Sequence, residues 1–193
     1  MRIGVIGTGN IGGTVGTALA RAGHEVTLGS RHPSGESVSG VRVADVAGAL
    51  AGAEVVLLAL PAGAVGEFLA EHAGTLAGKL VIDATNRIGA PVANAAAQLA
   101  EAAPDARYAR AFNTLGWENF ADPVFDGEPA DLFFSCAQAD HPVLEQLIAD
   151  VGLRPAYLGE GKQDVVDGAL PLWFALVQAG GGNRRLAFRV LRK

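Results

Sequence analysis

Short apolar runs rich in Val, Ile and Leu alternate along the chain with longer segments of helical period, and Gly, Pro, Asn or Asp separates each from the next. The runs Arg2–Ile6, Glu25–Gly29, Val41–Ala44, Glu54–Leu60 and Lys79–Ala84 predict strands, four of them apolar enough to be buried on both faces. Between them the pattern predicts helices near Ile11–Ala22, Val46–Ala53 and Gly63–Ala73. Farther on it predicts a helix near Pro91–Ala102, strands at Arg107–Phe112 and Leu132–Cys136, a helix at His141–Val151, a strand at Pro155–Leu158 and a helix around Val165–Gln178. Such alternation reads as α/β with a mostly parallel sheet. Ser30–Gly40, with His32-Pro33-Ser34-Gly35, and Asn113–Gly127, with Asp122-Pro123 and Asp126-Gly127, are expected to be surface loops.

Composition narrows the class. The 193 residues are half hydrophobic and 18% charged, which fits one globular domain with at most a small appendage. A net charge of −5 argues against nucleic acid as the main partner. The single cysteine, Cys136, forms no internal disulfide and reads as a buried small hydrophobe. Ile3–Ala20 carries no charge and superficially resembles an export signal, but six glycines interrupt it. The uncharged stretch Gly168–Asn183 is too short to span a bilayer and contains Pro171. A cytoplasmic protein without membrane contact is the expectation.

The motif Gly7-Thr8-Gly9-Asn10-Ile11-Gly12 directly follows the first predicted strand and opens the first helix. In that context each glycine has a separate role. Gly7 permits a tight turn, Gly9 the close approach of a pyrophosphate, and Gly12 close helix–strand packing. Free N–H groups at the helix end would hold the phosphate charge. The fold expected is therefore a Rossmann-type doubly wound sheet with a small C-terminal α/β extension. A boundary in the second loop divides it into 1–118, a dinucleotide-binding domain, and 119–193, a small substrate and dimerisation part.

At the end of the second strand, where an acid usually binds the ribose 2′-hydroxyl of NAD, stands Ser30-Arg31. A hydroxyl and a guanidinium suit a 2′-phosphate, so NADP(H) is the expected cofactor, a solvated loop arginine being the alternative. Residues that follow strands four to six are the candidates to meet the reacting ring: Leu60-Pro61-Ala62, where Pro61-Ala62 could support the nicotinamide face or form an ordinary strand-ending turn, then Asn86, then Asn113. The two asparagines could bind a carboxamide, a ribose or a second substrate, or make ordinary turn hydrogen bonds. Neither Tyr108 nor Tyr157 is followed four residues later by lysine, and no other acid–base residue is evident, so none is assigned a catalytic role. Hydride exchange between two stacked redox rings needs chiefly proximity and orientation, which suits such a site. The four histidines show no metal spacing, so no metal is expected. Trp173-Phe174 could wall a cofactor or belong to the core. The Arg184, Arg185, Arg189, Arg192 and Lys193 cluster could hold an anionic tail or form a solvated helix face.

Gly7-Thr8-Gly9-Asn10-Ile11-Gly12, Gly29-Ser30-Arg31 and Ala111-Phe112-Asn113-Thr114 in so short a chain resemble the F420-dependent NADP oxidoreductase family. The resemblance implies a homodimeric oxidoreductase that binds NADP(H) and moves a hydride to or from coenzyme F420 or a flavin. It implies a pyrophosphate loop at Thr8–Ile11, a 2′-phosphate site at Ser30 and Arg31, and Asn113 at the cleft mouth. His32-Pro33 departs from the family, where a basic residue often follows the arginine. A non-catalytic NADPH-binding regulator and a reductase of a small imine or carbonyl are the alternatives.

Overall fold

The computed structural model describes residues 1–33, 37 and 39–191. Within the Ser30–Gly40 loop, positions 34–36 and 38 therefore lie outside the described residues, as do Arg192 and Lys193. Eight strands form one sheet: β1 (Arg2–Ile6), β2 (Glu25–Gly29), β3 (Arg42–Ala44), β4 (Val55–Leu58), β5 (Leu80–Asp83), β6 (Arg107–Arg110), β9 (Asp131–Cys136) and β10 (Arg154–Tyr157). A small hairpin, β7 (Val124–Phe125) and β8 (Glu128–Pro129), stands apart. The first six run parallel in the order β3-β2-β1-β4-β5-β6, the doubly wound arrangement whose order reverses between β1 and β4. β9 joins β6 antiparallel and β10 continues parallel to β9, so the C-terminal extension lengthens the same sheet.

Strand alternation divides the core between the two faces. Ile3, Val5, Val55, Leu57, Leu80 and Ile82 pack on one side, under α1 (Asn10–Arg21), α6 (His141–Asp150) and α8 (Ala169–Ala179). Ile6, Val56, Leu58 and Val81 pack on the other, under α2 (Val46–Leu50), α3 (Val65–His72) and α4 (Ala96–Ala102). Both faces being covered explains why β4 is an unbroken apolar run and β5 is apolar up to its terminal Asp83, each buried apolar side chain contributing roughly 1.5–3 kcal/mol.

Several expectations need correction. Helix α4 starts at Ala96 rather than Pro91, because Asp83 Oδ2 and Asn94 Oδ1 accept the Ala95 and Ala96 N–H groups and so begin it there. Strand six stops at Arg110 because Phe112 takes φ +61°, which no strand accommodates. The expected loop 113–127 contains α5 (Glu118–Ala121) and β7, and residues 113–116 are buried. The last long helix is two, α7 (Gln163–Asp167) and α8, which meet at Gly168. Beyond Gly180 the described chain is not helical, so the arginine cluster is no helix face. Arg184, Arg185 and Arg189 instead pair with Glu118, Asp122 and Glu128 and strap the tail along α5 and the hairpin.

Two positions at the turn between β1 and α1, Gly7 and Gly12, tolerate no larger residue. Gly7 has φ +116° and its missing Cβ would lie 2.4 Å from the Ala59 carbonyl oxygen; a Cβ on Gly12 would lie 2.0 Å from that of Gly7. Gly12→Ala is therefore expected to push α1 off the sheet and cost about 1–3 kcal/mol. A urea unfolding midpoint lower than wild type with an unchanged slope is the expected result.

Candidate functional site

Helix α1 begins at Gly9 with no side-chain cap and no acidic residue in its first turn. Its leading N–H groups have no intrahelical partner and point along a positive dipole end. A Cβ added to Gly9 would meet nothing within 4 Å, so this side of the loop faces open space. Thr8, Gly9 and Asn10 are exposed and Ile11 is half-buried, while Gly12 is buried against the turn. The geometry is what a diphosphate requires: open, donor-rich and without a competing carboxylate.

Strand β2 lies next to β1, and the Gly7 N–H donates to the Gly29 carbonyl, so Ser30 and Arg31 emerge beside the glycine turn. The Ser30 hydroxyl accepts the His32 N–H at 3.2 Å, which leaves its own proton to give. Arg31 is exposed and shares a narrow cleft with Leu60 and Ala64 from the segment after β4 and with Glu67 and Glu71 on α3. Arg31 thus supplies positive charge where two glutamates supply the opposite sign. Pro61 opens a 3-10 turn at Ala62–Ala64; Pro61 is exposed and Ala62 half-buried.

At the carboxyl ends of β5 and β6 the chain buries a charge network. Arg110, fully buried, donates from Nε to Asp167 Oδ1 at 2.6 Å, from Nη1 to the Thr85 and Asp83 carbonyls at 2.6 and 3.0 Å, and from Nη2 to Asn86 Oδ1 at 3.0 Å. The Asp83 carboxylate lies 3.3 Å from Nη1 and accepts from Thr85, Ala95 and the Tyr108 hydroxyl. Burial, and then the charge of Asp83, raise the Tyr108 pKa, so this phenol remains protonated. Asn94 Nδ2 donates to both Asp164 and Asp167, at 3.0 and 2.7 Å.

The network decides what the two asparagines do. Asn86 accepts from Arg110 and donates to the Asn113 carbonyl at 2.8 Å, so its side chain ties β5 to β6 rather than standing free. Asn113 is buried; its Nδ2 donates to Asp167 at 3.0 Å, while Oδ1 and the neighbouring Thr114 hydroxyl have no partner among the described residues. Directly before them sits Phe112 in its left-handed conformation. Backbone strain beside unpaired buried polar atoms, at the end of a parallel strand, makes this a candidate functional position. Asp83, Arg110, Asp167 and Asn94 were missed from sequence; the one signal was Asp83, a charged residue at the end of an otherwise apolar strand.

Next to Arg87 and Asp167 a groove of about 570 Å³ opens between the 88–93 segment and α8, walled by Ile88, Val92, Pro171 and Phe174 with Asp164 at its edge. Trp173 does not face it: this side chain is buried and donates its indole N–H to the Leu186 carbonyl at 2.8 Å. Phe174 is the member of the pair that reaches the groove. Cys136 is buried, and burial, then Asp140 and Glu160, push its thiol up to about 12, which makes it inert.

With this geometry, similarity to known proteins becomes specific. Residues 2–87, which contain the glycine turn, Ser30-Arg31 and the β4 and β5 ends, match the model of the family described as NADP oxidoreductase, coenzyme F420-dependent. The resemblance read from the sequence holds. None of the curated proteins matches the chain. Among solved structures, a protein from Arthrobacter sp. FB24 provisionally assigned as an F420-dependent NADP-reductase superposes with a TM-score of 0.83 at 28% identity, over 100% of both chains. A hypothetical protein from Sinorhizobium meliloti gives a TM-score of 0.71 at 26% identity, over 83% of this chain and 85% of that one. A reductive aminase from Aspergillus terreus, in complex with NADPH and ethyl levulinate, gives 0.69 at 22% identity. There the match covers 94% of this chain and 62% of the aminase and shows a shared fold. The match over residues 2–87 supports an NADP-dependent oxidoreductase.

Arg31 tests cofactor choice. Arg31→Ala is expected to weaken NADPH binding more than NADH binding by roughly 1.5–3 kcal/mol, the worth of hydrogen bonds to a charged group. Isothermal titration with each nucleotide reads the difference, and an equal loss for both would contradict the assignment.

Proposed function

We propose that the protein transfers a hydride between NADP(H) and a tricyclic redox cofactor, F420 or a flavin. The observation that carries this reading is the alignment along one sheet edge of three features. They are the uncapped glycine turn, Ser30-Arg31, and the groove beyond β5 and β6. Bound NADP(H) supplies the nicotinamide C4 that gives or takes the hydride. Gly7–Gly12 hold the diphosphate, Ser30 and Arg31 the 2′-phosphate, and Leu60, Pro61 and Ala62 support the nucleoside and ring. Asn86 and Asn113 shape the ring end of the cleft. Residues 1–118 carry the nucleotide, and residues 119–193 supply Asp167 and α8 as the acceptor wall.

The protein's own groups do the positioning. The apolar walls Ile88, Val92, Pro171 and Phe174 exclude water from one face of a flat acceptor and press it toward the strand ends. A groove of about 570 Å³ lies within the usual range for a small-molecule site, which favours an enzyme over a sensor. The exposed apolar side chains Leu172 and Leu176 on α8 give a homodimer a contact face. Among the described residues no helix is long and apolar enough to cross a membrane, and a cytoplasmic enzyme fits this reading.

Anaerobic stopped-flow absorbance with NADPH, mixed separately with oxidised F420 and with FMN, tests the proposal. Rapid bleaching of one acceptor is expected. Tight NADPH binding with no oxidation by either would contradict hydride transfer and favour a regulatory nucleotide-binding protein.

A further inference from the structure

The equilibrium of hydride transfer among bound species depends on which form of the nicotinamide the site holds more tightly. NADPH and NADP+ differ at the ring, which is neutral in the first and carries one positive charge in the second. Fixed charge at the ring end of the site therefore discriminates between them, and charge elsewhere does not.

That end carries an excess of negative charge. Asp83 and Asp167 face one guanidinium, Arg110, and the side chains of Asp83 and Arg110 are fully buried. Asp167 receives hydrogen bonds from Arg110, Asn113 and Asn94 and none of its neighbours accepts from it, the surroundings of an ionised carboxylate. Asp83 is likewise surrounded by donors, and Tyr108, neutral, adds no charge. On the rim, exposed Arg87 and Asp164 carry opposite charges that offset each other and are screened by salt. Asn113 adds to the same sign: Asp167 fixes its Nδ2, which leaves the negative end of the amide dipole, Oδ1, as the unpaired atom. Buried charge acts through a low dielectric and is felt at distances where surface charge is not.

We infer that Asp167 is a specificity-determining residue that makes the site prefer the oxidised, cationic ring and so favours loss of hydride from bound NADPH. The inference rests on the proposed binding of NADP(H) with its nicotinamide at the ends of β4 to β6. In that direction the C4–H bond breaks with its electron pair and leaves a pyridinium. The hydride adds to the flavin or deazaflavin ring, which is reduced by two electrons and takes one proton from solvent.

Equilibrium binding of NADP+ and of NADPH to the full chain, without acceptor and without oxygen, separates this from a structural role. Wild type is expected to bind NADP+ at least as tightly as NADPH. In Asp167→Asn the NADP+ Kd should rise about tenfold while that of NADPH changes less than twofold, a shift of about 30 mV in the bound two-electron couple. Glu101→Gln, on the exposed face of α4, should leave both constants unchanged. Asp83→Asn removes one charge from the same network and should move the ratio in the same direction. A wild type that holds NADPH more than tenfold tighter than NADP+ would overturn the inference, and that measurement decides even where a variant fails to fold. Equal weakening of both nucleotides in Asp167→Asn would reduce Asp167 to a structural residue and sink the inference alone. A wild type that binds neither nucleotide removes the proposed function and this inference with it.

Discussion

A guanidinium with no access to water, at the end of the sixth strand, organises the far half of this molecule. Arg110 cannot be left unpaired in the sheet: an isolated buried charge costs many kcal/mol, so each of its three nitrogens is answered. The answers come from Asp83, Thr85 and Asn86 at the end of β5, and from Asp167 at the end of α7. Asp167 then draws in Asn113 and Asn94. One cation thereby fixes the C-terminal extension to the edge of the nucleotide-binding sheet where a reacting ring would lie. The same bonds fix the amide orientation of both asparagines.

The other half is governed by a steric constraint. Helix α1 approaches β1 so closely that Gly7 and Gly12 admit no side chain, and that approach places the helix N-terminus, uncapped, beside the end of β2. The proposed affinity for a diphosphate is thus a by-product of how tightly a helix packs on a strand. The two halves meet along one sheet edge: the first supplies an uncapped helix N-terminus, the second a buried anionic network and an apolar groove. Separation of these charges along the edge matches the polarity of a dinucleotide whose phosphates are anionic and whose oxidised ring is cationic.

Most of the fold was legible because it rests on periodicity. The apolar runs 3–6, 55–58 and 80–83 became strands buried on both faces, and the glycine turn stood between strand and helix as its spacing required. What could not be read depends on contacts distant in sequence. The start of α4 is set by Asp83, twelve residues away, and the end of β6 by a strained Phe112 that no local preference announces. Gly168 divides a run that is helical in pattern throughout. In the site, Asn86 and Asn113 were identifiable from their place after strands five and six. Their roles were not, since those depend on Arg110 and Asp167, 24 and 54 residues away. Trp173 was ambiguous because an aromatic on an apolar helix looks the same in sequence whether it faces ligand or core.

The central claim is that one nucleotide spans both halves, from the glycine turn to the strand ends that Arg110 ties to α7. Hydrogen–deuterium exchange with and without NADP+ tests it most directly. Protection is predicted at residues 7–13 and 29–31 and, in the same titration, at 84–90 and 163–170. Protection confined to the first two segments, with 84–90 and 163–170 unchanged at saturation, would contradict it.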